Sequence, residues 1–214
     1  MKNKNKTERK MQFFSEDTQR LYQLYGSPAT LKISGVPMHR HVSMTPLEHA
    51  KKIVDSLSPS GTVLDTTTGL GYTAIISAAR KEVERVLTVE KDPNVLAIAK
   101  HNPDSDELFD SKKIEIMDAD SSQIISTFKD EQFDYIIHDP PTFSISPDLY
   151  TLKFHIQLFR VLKNGGKLWH YAPEPRKLKG QGPRLKERIM RQLREAGFKN
   201  VTYDSDSTGI TAEK

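Results

Sequence analysis

Residues 63–71, Val63-Leu64-Asp65-Thr66-Thr67-Thr68-Gly69-Leu70-Gly71, carry an apolar strand directly into a glycine turn, and an acid, Glu90, stands one helix and one strand further on. Few folds accept such a segment. A strand that turns on glycine, feeds a helix and returns as a second buried strand builds the right-handed crossover of a parallel sheet. Glycine has no Cβ, so the turn lets backbone approach a ligand closely, and an acid about 20 residues later can grip the two hydroxyls of a ribose. A nucleoside-bearing cofactor is therefore expected. The turn is not the dinucleotide form, because Thr67 stands where the first glycine of G-x-G-x-x-G would be and no third glycine follows. That departure disfavours a pyrophosphate cradle and, with it, a dehydrogenase.

The remaining pattern extends the sheet. Strands are expected over residues 62–65, 85–90, 113–117, 133–138 and 167–171, alternating with helices over 73–80, 94–100, 121–128, 147–162 and 184–196. Val86-Leu87-Thr88-Val89 and Tyr135-Ile136-Ile137 are continuously apolar, as strands buried on both faces are. Two β-like segments, 200–203 and 210–212, close the chain with no helix between them, so one strand should run antiparallel. The fold class is α/β, a doubly wound Rossmann-like sheet of seven strands with an antiparallel C-terminal strand. Ahead of it, Thr45-Pro46 reads as an N-cap with proline at the first helical position, opening a helix to about Leu57. Residues 11–45 form an N-terminal extension with a short helix over 13–25, ended by Gly26-Ser27-Pro28, and a hairpin of residues 30–34 and 36–42 around Ser34-Gly35. The first ten residues are basic and have nothing to bury, so a disordered tail is expected there. Residues 46–214 are read as the main domain.

Composition narrows the classes. The chain holds no cysteine, which excludes disulfides, thiolate metal sites and a cysteine nucleophile. No apolar run approaches the roughly 20 residues that span a bilayer, and no apolar stretch follows the basic start as in a signal peptide. A cytoplasmic protein without membrane attachment is expected. Net charge is +4, all of it carried by the first ten residues. Residues 176–199 hold nine basic side chains, among them Lys186, Arg188, Arg191 and Arg194, against Glu187 and Glu195. This stretch is either a phosphate-facing stripe, which makes RNA a possible partner, or a solvated helix face.

Ligands of open α/β sheets bind beyond the carboxyl ends of the strands, where strand order reverses. Four successive strands here end in acids: Asp65, Glu90, Asp118-Ala119-Asp120 and His138-Asp139-Pro140-Pro141. Burying carboxylates is expensive without partners, so the series points to one shared cleft. Asp120 alone is also placed to cap the helix that follows it.

From Pro46 to the end the arrangement resembles the class I S-adenosylmethionine-dependent methyltransferases. Val63–Gly71 match the first motif of that family, Glu90 its ribose acid, Asp118 the acid near the adenine amine, and Asp139-Pro140-Pro141-Thr142 its D/N-P-P-x turn. Asp65–Ile75, Thr88–Val95 and Ile137–Pro141 together are similar to a group of predicted archaeal methyltransferases whose acceptor is unassigned. The resemblance implies S-adenosylmethionine as cofactor. Its binding set would be Asp65, Thr67, Gly69, Gly71, Glu90, Lys91, Asp118, Ala119 and Asp139, with Asp65 on the amino group and Asp118 with the Ala119 amide on the adenine edge. The catalytic set would be Asp139, Pro140 and His138. The carboxylate of Asp139 and the carbonyl of Pro140 accept N–H bonds and suit an amine acceptor, which points to nitrogen in RNA or in a small metabolite; Thr142 fills the place where related turns carry an aromatic.

His138 is a candidate proton acceptor and equally a hydrogen-bonded strand histidine. Phe143 is either a stacking surface or a core aromatic, and His39, Arg40 and His41 either cap the cleft or belong to a plain surface hairpin. No H-x-x-x-H pattern is present, and no metal is expected. Two further readings share the fold: aminopropyl transfer from the decarboxylated cofactor, disfavoured because the glycine turn is not followed by an acid, and a non-catalytic nucleoside-binding subunit, disfavoured by the intact Asp139-Pro140-Pro141 turn. Oligomeric state is left open.

Overall fold

The computed structural model describes residues 11–39, 44–173 and 182–214, with side chains in the last segment from Leu185 onward. The expected basic tail, Arg40–Val42 of the hairpin and the first part of the 176–199 basic stretch lie outside the described residues.

The N-terminal extension corrects the sequence reading. Residues 13–25 form no helix; β1 (Gln12–Ser15) and β2 (Arg20–Tyr25) pair antiparallel, and β3 (Thr30–Ile33) and β4 (Val36–Pro37) complete a four-stranded meander. The apolar residues come as adjacent doublets, which fit either period, and tertiary burial decides between them. Tyr22 and Leu24, two apart, turn inward, while Arg20 and Tyr25 stay exposed. Phe13 stacks on its cross-strand partner Tyr22 at 5.3 Å, a pairing that favours strand over helix. The Ser34-Gly35 turn is where it was expected, with Ile33 opposite Val36.

Beyond Thr45 the expectations hold more closely. Helix α1 (Pro46–Leu57) opens on a capping box in which Thr45 accepts from the Glu48 amide and Glu48 reaches back to the Thr45 amide. The seven-stranded sheet contains β5 (Gly61–Asp65), β6 (Val83–Glu90), β7 (Ile114–Asp118), β8 (Phe133–His138), β9 (Leu162–Tyr171), β10 (Lys199–Asp204) and β11 (Gly209–Glu213). Their order is β10-β11-β9-β8-β5-β6-β7, and β11 runs antiparallel to both neighbours. The last strand thus slots between β9 and β10, and strand order reverses between β5 and β8.

Helices cover both faces. On one, α1 and α2 (Tyr72–Ala78) pack through Ile53, Val54, Leu57 and Ala74 against Val63, Val86, Ile137 and Trp169. After α3 (Pro93–Ala99), α4 (Asp106–Asp110) and α5 (Ser121–Ile124), the other face is covered by α6 (Leu152–Val161) and α7 (Gly182–Glu195), whose Leu158, Ile189 and Leu193 meet Leu64, Ile136 and Leu168. Neighbouring residues such as Val63 and Leu64 are thus both buried on opposite faces, which is why these strands read as continuous apolar runs. The expected helix over 147–162 is broken: Pro147–Tyr150 form a 3-10 turn, and Thr151 caps α6 by accepting from the Phe154 amide at 3.2 Å. The short α4 and the 3-10 turn before it were not expected from sequence.

The meander packs on the glycine turn and the helices beside it. Tyr22, Leu24 and Leu31 share a cluster with Leu70 and Tyr72 of the glycine turn and with Val95 and Ile98 of α3. The Tyr22 hydroxyl donates to Asp92 Oδ2 at 2.6 Å, two residues past Glu90.

Candidate active site

The carboxyl ends of β5, β6 and β8 converge at the switch point. Between them the chain turns at Gly69 (φ +53°) and Gly71 (φ +79°), in the left-handed region that disfavours a side chain. A Cβ at Gly71 would lie 2.7 Å from the Leu108 methyls, whereas one at Gly69 would meet only His39 Nε2, at 3.9 Å. Gly71 is therefore set by internal packing, and Gly69 faces open space.

Each acid is held by the turn. Asp65 is fully buried; it accepts from Thr73 Oγ1 at 2.8 Å and from the Thr67 amide at 3.4 Å. Half-buried Glu90 accepts the Gly69 amide on Oε2 and the Asp92 amide on Oε1, both at 3.0 Å. The hydroxyl of Thr67 donates to the Asp139 carbonyl at 2.7 Å and locks the two strand ends together. Burial pushes Asp65 up to about 7 against the hydrogen bonds from Thr73 and Thr67, and pushes Glu90 up to about 7 against its backbone amides. Asp139 also rises to about 7, through burial and then the neighbouring Asp65 charge. Among the described residues no cation is ion-paired with any of the three. Three acids therefore gather around the glycine turn: Asp139 lines the cleft there, Glu90 holds the Gly69 amide, and Asp65 lies buried behind Thr67 and Thr73.

A shallow cleft, open to solvent, runs over Thr67, Thr68, Gly69, Thr73 and Asp139 and is also lined by Met38, His39, Pro46 and His49. The Leu31 amide donates to His39 Nδ1 at 3.3 Å, so in the neutral ring the proton sits on Nε2, the atom nearest Gly69. The meander thus supplies a wall of the site, and His39 belongs to the cleft rather than to a plain surface hairpin. Sequence reasoning did not place Tyr72, Thr73 or His49 there. Their position depends on α1 and α2 lying side by side, which spacing along the chain does not encode.

Other expected residues fall differently. Asp118 is exposed at the end of β7, in register with Glu90. The Ala119 amide is already donated to the Glu90 carbonyl at 3.1 Å, so it is not free to read an adenine edge. Lys91 reaches Asp120 Oδ2 at 3.2 Å, and Asp120 caps α5 by accepting from the Ser122 amide. His138 is corrected more sharply. It is fully buried, its Nε2 donates to the Leu149 carbonyl at 2.9 Å, and its Nδ1 accepts from Thr66 at 2.7 Å. Burial, then His170 and His155, keep it uncharged far below the usual histidine range. A ring with both nitrogens occupied inside the fold is a structural element, not a proton acceptor in the cleft. The turn it precedes is braced by Tyr150, whose hydroxyl donates to the Pro141 carbonyl at 2.9 Å. Pro140 is buried, and its carbonyl lies 3.4 Å from the same hydroxyl.

Of the described basic residues after 185, several are engaged within the fold: Lys186 lies over the Tyr203 ring, Arg191 pairs with Glu195, and Arg194 donates to the Val201 carbonyl. No described helix is long and apolar enough to cross a membrane. No group of three His, Cys, Asp or Glu side chains suited to a metal ion occurs among the described residues.

Comparison with known proteins agrees with this architecture. Residues 47–196 match the family model of the methyltransferase small domain. An uncharacterized protein of Methanocaldococcus jannaschii is 44% identical over 189 residues, which cover 87% of this chain and 64% of that protein. Among solved structures, spermidine synthase from Thermotoga maritima superposes with a TM-score of 0.69 at 19% identity, covering 87% of this chain and 63% of its own. A putative S-adenosylmethionine-dependent methyltransferase from Methanococcus maripaludis gives 0.58 at 20% identity, covering 79% and 85%. The chain thus spans slightly less than two thirds of the length of the first two. It belongs to the methyltransferase small domain family and shares its fold with the S-adenosylmethionine-dependent methyltransferase structure.

Proposed function

We propose that the protein transfers the methyl group of S-adenosylmethionine to a nitrogen atom, in RNA or in a small metabolite. The observation that carries the reading is the acid gathered at the glycine turn: Asp139 lines the open cleft, and Glu90 and Asp65 bond to the Gly69 amide and to Thr73 beside it, with no cation paired to the three among the described residues. A nucleoside bearing an ammonium and a sulfonium matches that charge, and a doubly anionic dinucleotide does not. In this reading Glu90 holds the ribose hydroxyls, Asp65 holds the amino group directly or through water, and Gly69 gives the backbone room to lie against the cofactor. Asp118, exposed beside Glu90, is the residue on the adenine side.

The bound cofactor supplies an electrophilic methyl group, so the chain's task is positioning. Asp139 and the Pro140 carbonyl take the N–H bonds of an amine and leave its lone pair directed at the methyl. A carboxyl held near 7 can also receive the proton that the nitrogen sheds. Two successive prolines and the Tyr150 hydroxyl stiffen the turn that carries both groups.

Calorimetry with S-adenosylhomocysteine tests the reading: wild type should bind, and Glu90→Ala should lose binding. Absence of binding by the wild type would refute it. Offering S-adenosylmethionine and its decarboxylated form in parallel separates methyl transfer from aminopropyl transfer, the alternative that the likeness of fold to spermidine synthase keeps in view.

A further inference from the structure

The seam between α6 and α7 contains polar atoms that the fold leaves without partners. Arg188 Nε and Nη2 are both buried and unbonded, as are Gln192 Oε1 one turn further along α7 and His155 Nδ1 on α6. The histidine follows from its neighbours. His170 gives its Nδ1 proton to the Tyr171 carbonyl at 2.7 Å and accepts from His155 Nε2 at 3.0 Å, so His155 Nδ1 is a bare lone pair. Burial, then His170 and Arg188, keep His155 neutral. Among the described residues Arg188 is ion-paired with no carboxylate; its guanidinium lies over the Phe143 ring at 4.5 Å.

Phe143 connects the seam to the acceptor side. It lies two residues past the Asp139-Pro140-Pro141 turn, is 40% exposed, and packs edge-on against Tyr150 at 5.7 Å, the residue that braces the turn. Nε and Nη2 are the side-on fork of the guanidinium, the pair that binds a carboxylate or phosphate bidentately. Burying that fork unpaired is costly. Other arginines near the end of the chain have partners: Arg191 pairs with Glu195, and Arg194 reaches the Val201 carbonyl.

We infer that the side-on fork of Arg188 anchors an oxyanion, carboxylate or phosphate, carried by the methyl acceptor. The inference rests on the methyl-transfer reading for the word acceptor, while the anion site stands on its own geometry. It places an anionic group on the Phe143 side of the Asp139 turn, with the ring swinging aside as the oxyanion enters. The acceptor class becomes an amine with an acidic substituent.

The test uses the full chain with ¹⁵N-labelled arginine and follows the side-chain Nε–H resonances while inorganic phosphate, acetate or chloride is added at matched ionic strength. The Arg188 resonance is identified by its loss in Arg188→Lys. Should that variant fail to fold, Phe143→Ala identifies it through removal of the ring's shielding. A saturable shift of that resonance in phosphate or acetate, absent in chloride, is expected, and the stronger of the two identifies the class of oxyanion. No shift in either, or the same shift in chloride, overturns the inference. Calorimetry with S-adenosylhomocysteine on Arg188→Lys should match wild type. If wild type fails to bind that ligand, the methyl-transfer reading falls while the anion titration is still decided by its own signal.

Discussion

Asp139 and Glu90 are both acids at strand ends with similar elevated pKa values, yet their surroundings divide the work between them. Glu90 is tied to two backbone amides; Asp139 is pinned through its carbonyl by Thr67 and lines the cleft. Asp139→Asn keeps size but removes the charge and replaces one accepting oxygen with a donor. It should lower methyl transfer by about 10²–10⁴-fold while changing S-adenosylhomocysteine affinity far less than Glu90→Ala does. In wild type the rate should rise as pH passes through about 7, where Asp139 ionises, and single-turnover rates of Asp139→Asn should lack that rise. A mutant with the wild-type profile would assign the titration elsewhere. At this scale the sequence was legible for acids at strand ends and misleading for His138, since a histidine before a catalytic turn and one sealed behind it are written identically.

Among the elements, the glycine turn and the meander carry the most consequence. Gly71 has a left-handed φ and the side chain of Leu108 where a Cβ would go, and Leu108 belongs to α4, a helix that the sequence did not announce. Gly71→Ala should cost about 3 kcal/mol, joining the left-handed penalty to overpacking. That corresponds to roughly 6–12 °C in thermal midpoint for a chain of this size, measurable by circular dichroism; a loss below 1 °C would mean that Leu108 moves aside freely. The meander was legible in its second hairpin, where Thr30–Ile33 returns through Ser34-Gly35 to Val36, and not in its first. Residues 13–25 hold apolar doublets that satisfy a helical or a strand period, and the choice falls to strand because Tyr22 and Leu24 find a surface in Leu70, Tyr72 and Ile98. Those partners lie more than forty residues away. The capping box at Thr45 was readable because its hydrogen bonds span three residues.

Over the whole molecule two buried sets of titrating groups oppose each other. Asp65, Glu90 and Asp139 have raised values, so the folded protein holds protons that the unfolded chain has released, and stability falls as pH rises from about 4 to about 7. His138, His155 and His170 have lowered values, His170 down to about 4 through burial. The unfolded chain binds their protons first, so stability falls as pH drops below about 6.5. In the ligand-free protein these slopes oppose each other between about 4 and 6.5. A cofactor whose hydroxyls and ammonium hold Glu90 and Asp65 ionised removes their part of the first slope. Urea unfolding between pH 7 and pH 5 should therefore show a steeper loss of stability with saturating S-adenosylhomocysteine than without it; equal slopes would show that the ligand does not engage the acids. By itself the sequence determined the strands, their polar ends, the glycine turn and the capped helix, because each is encoded within a few neighbouring residues. The tertiary structure alone decided the strand order that gathers those ends, the meander that walls the cleft, the enclosure of His138 and the unpaired fork of Arg188. Each of these depends on which distant surfaces exclude water from one another, and local periodicity carries no record of that.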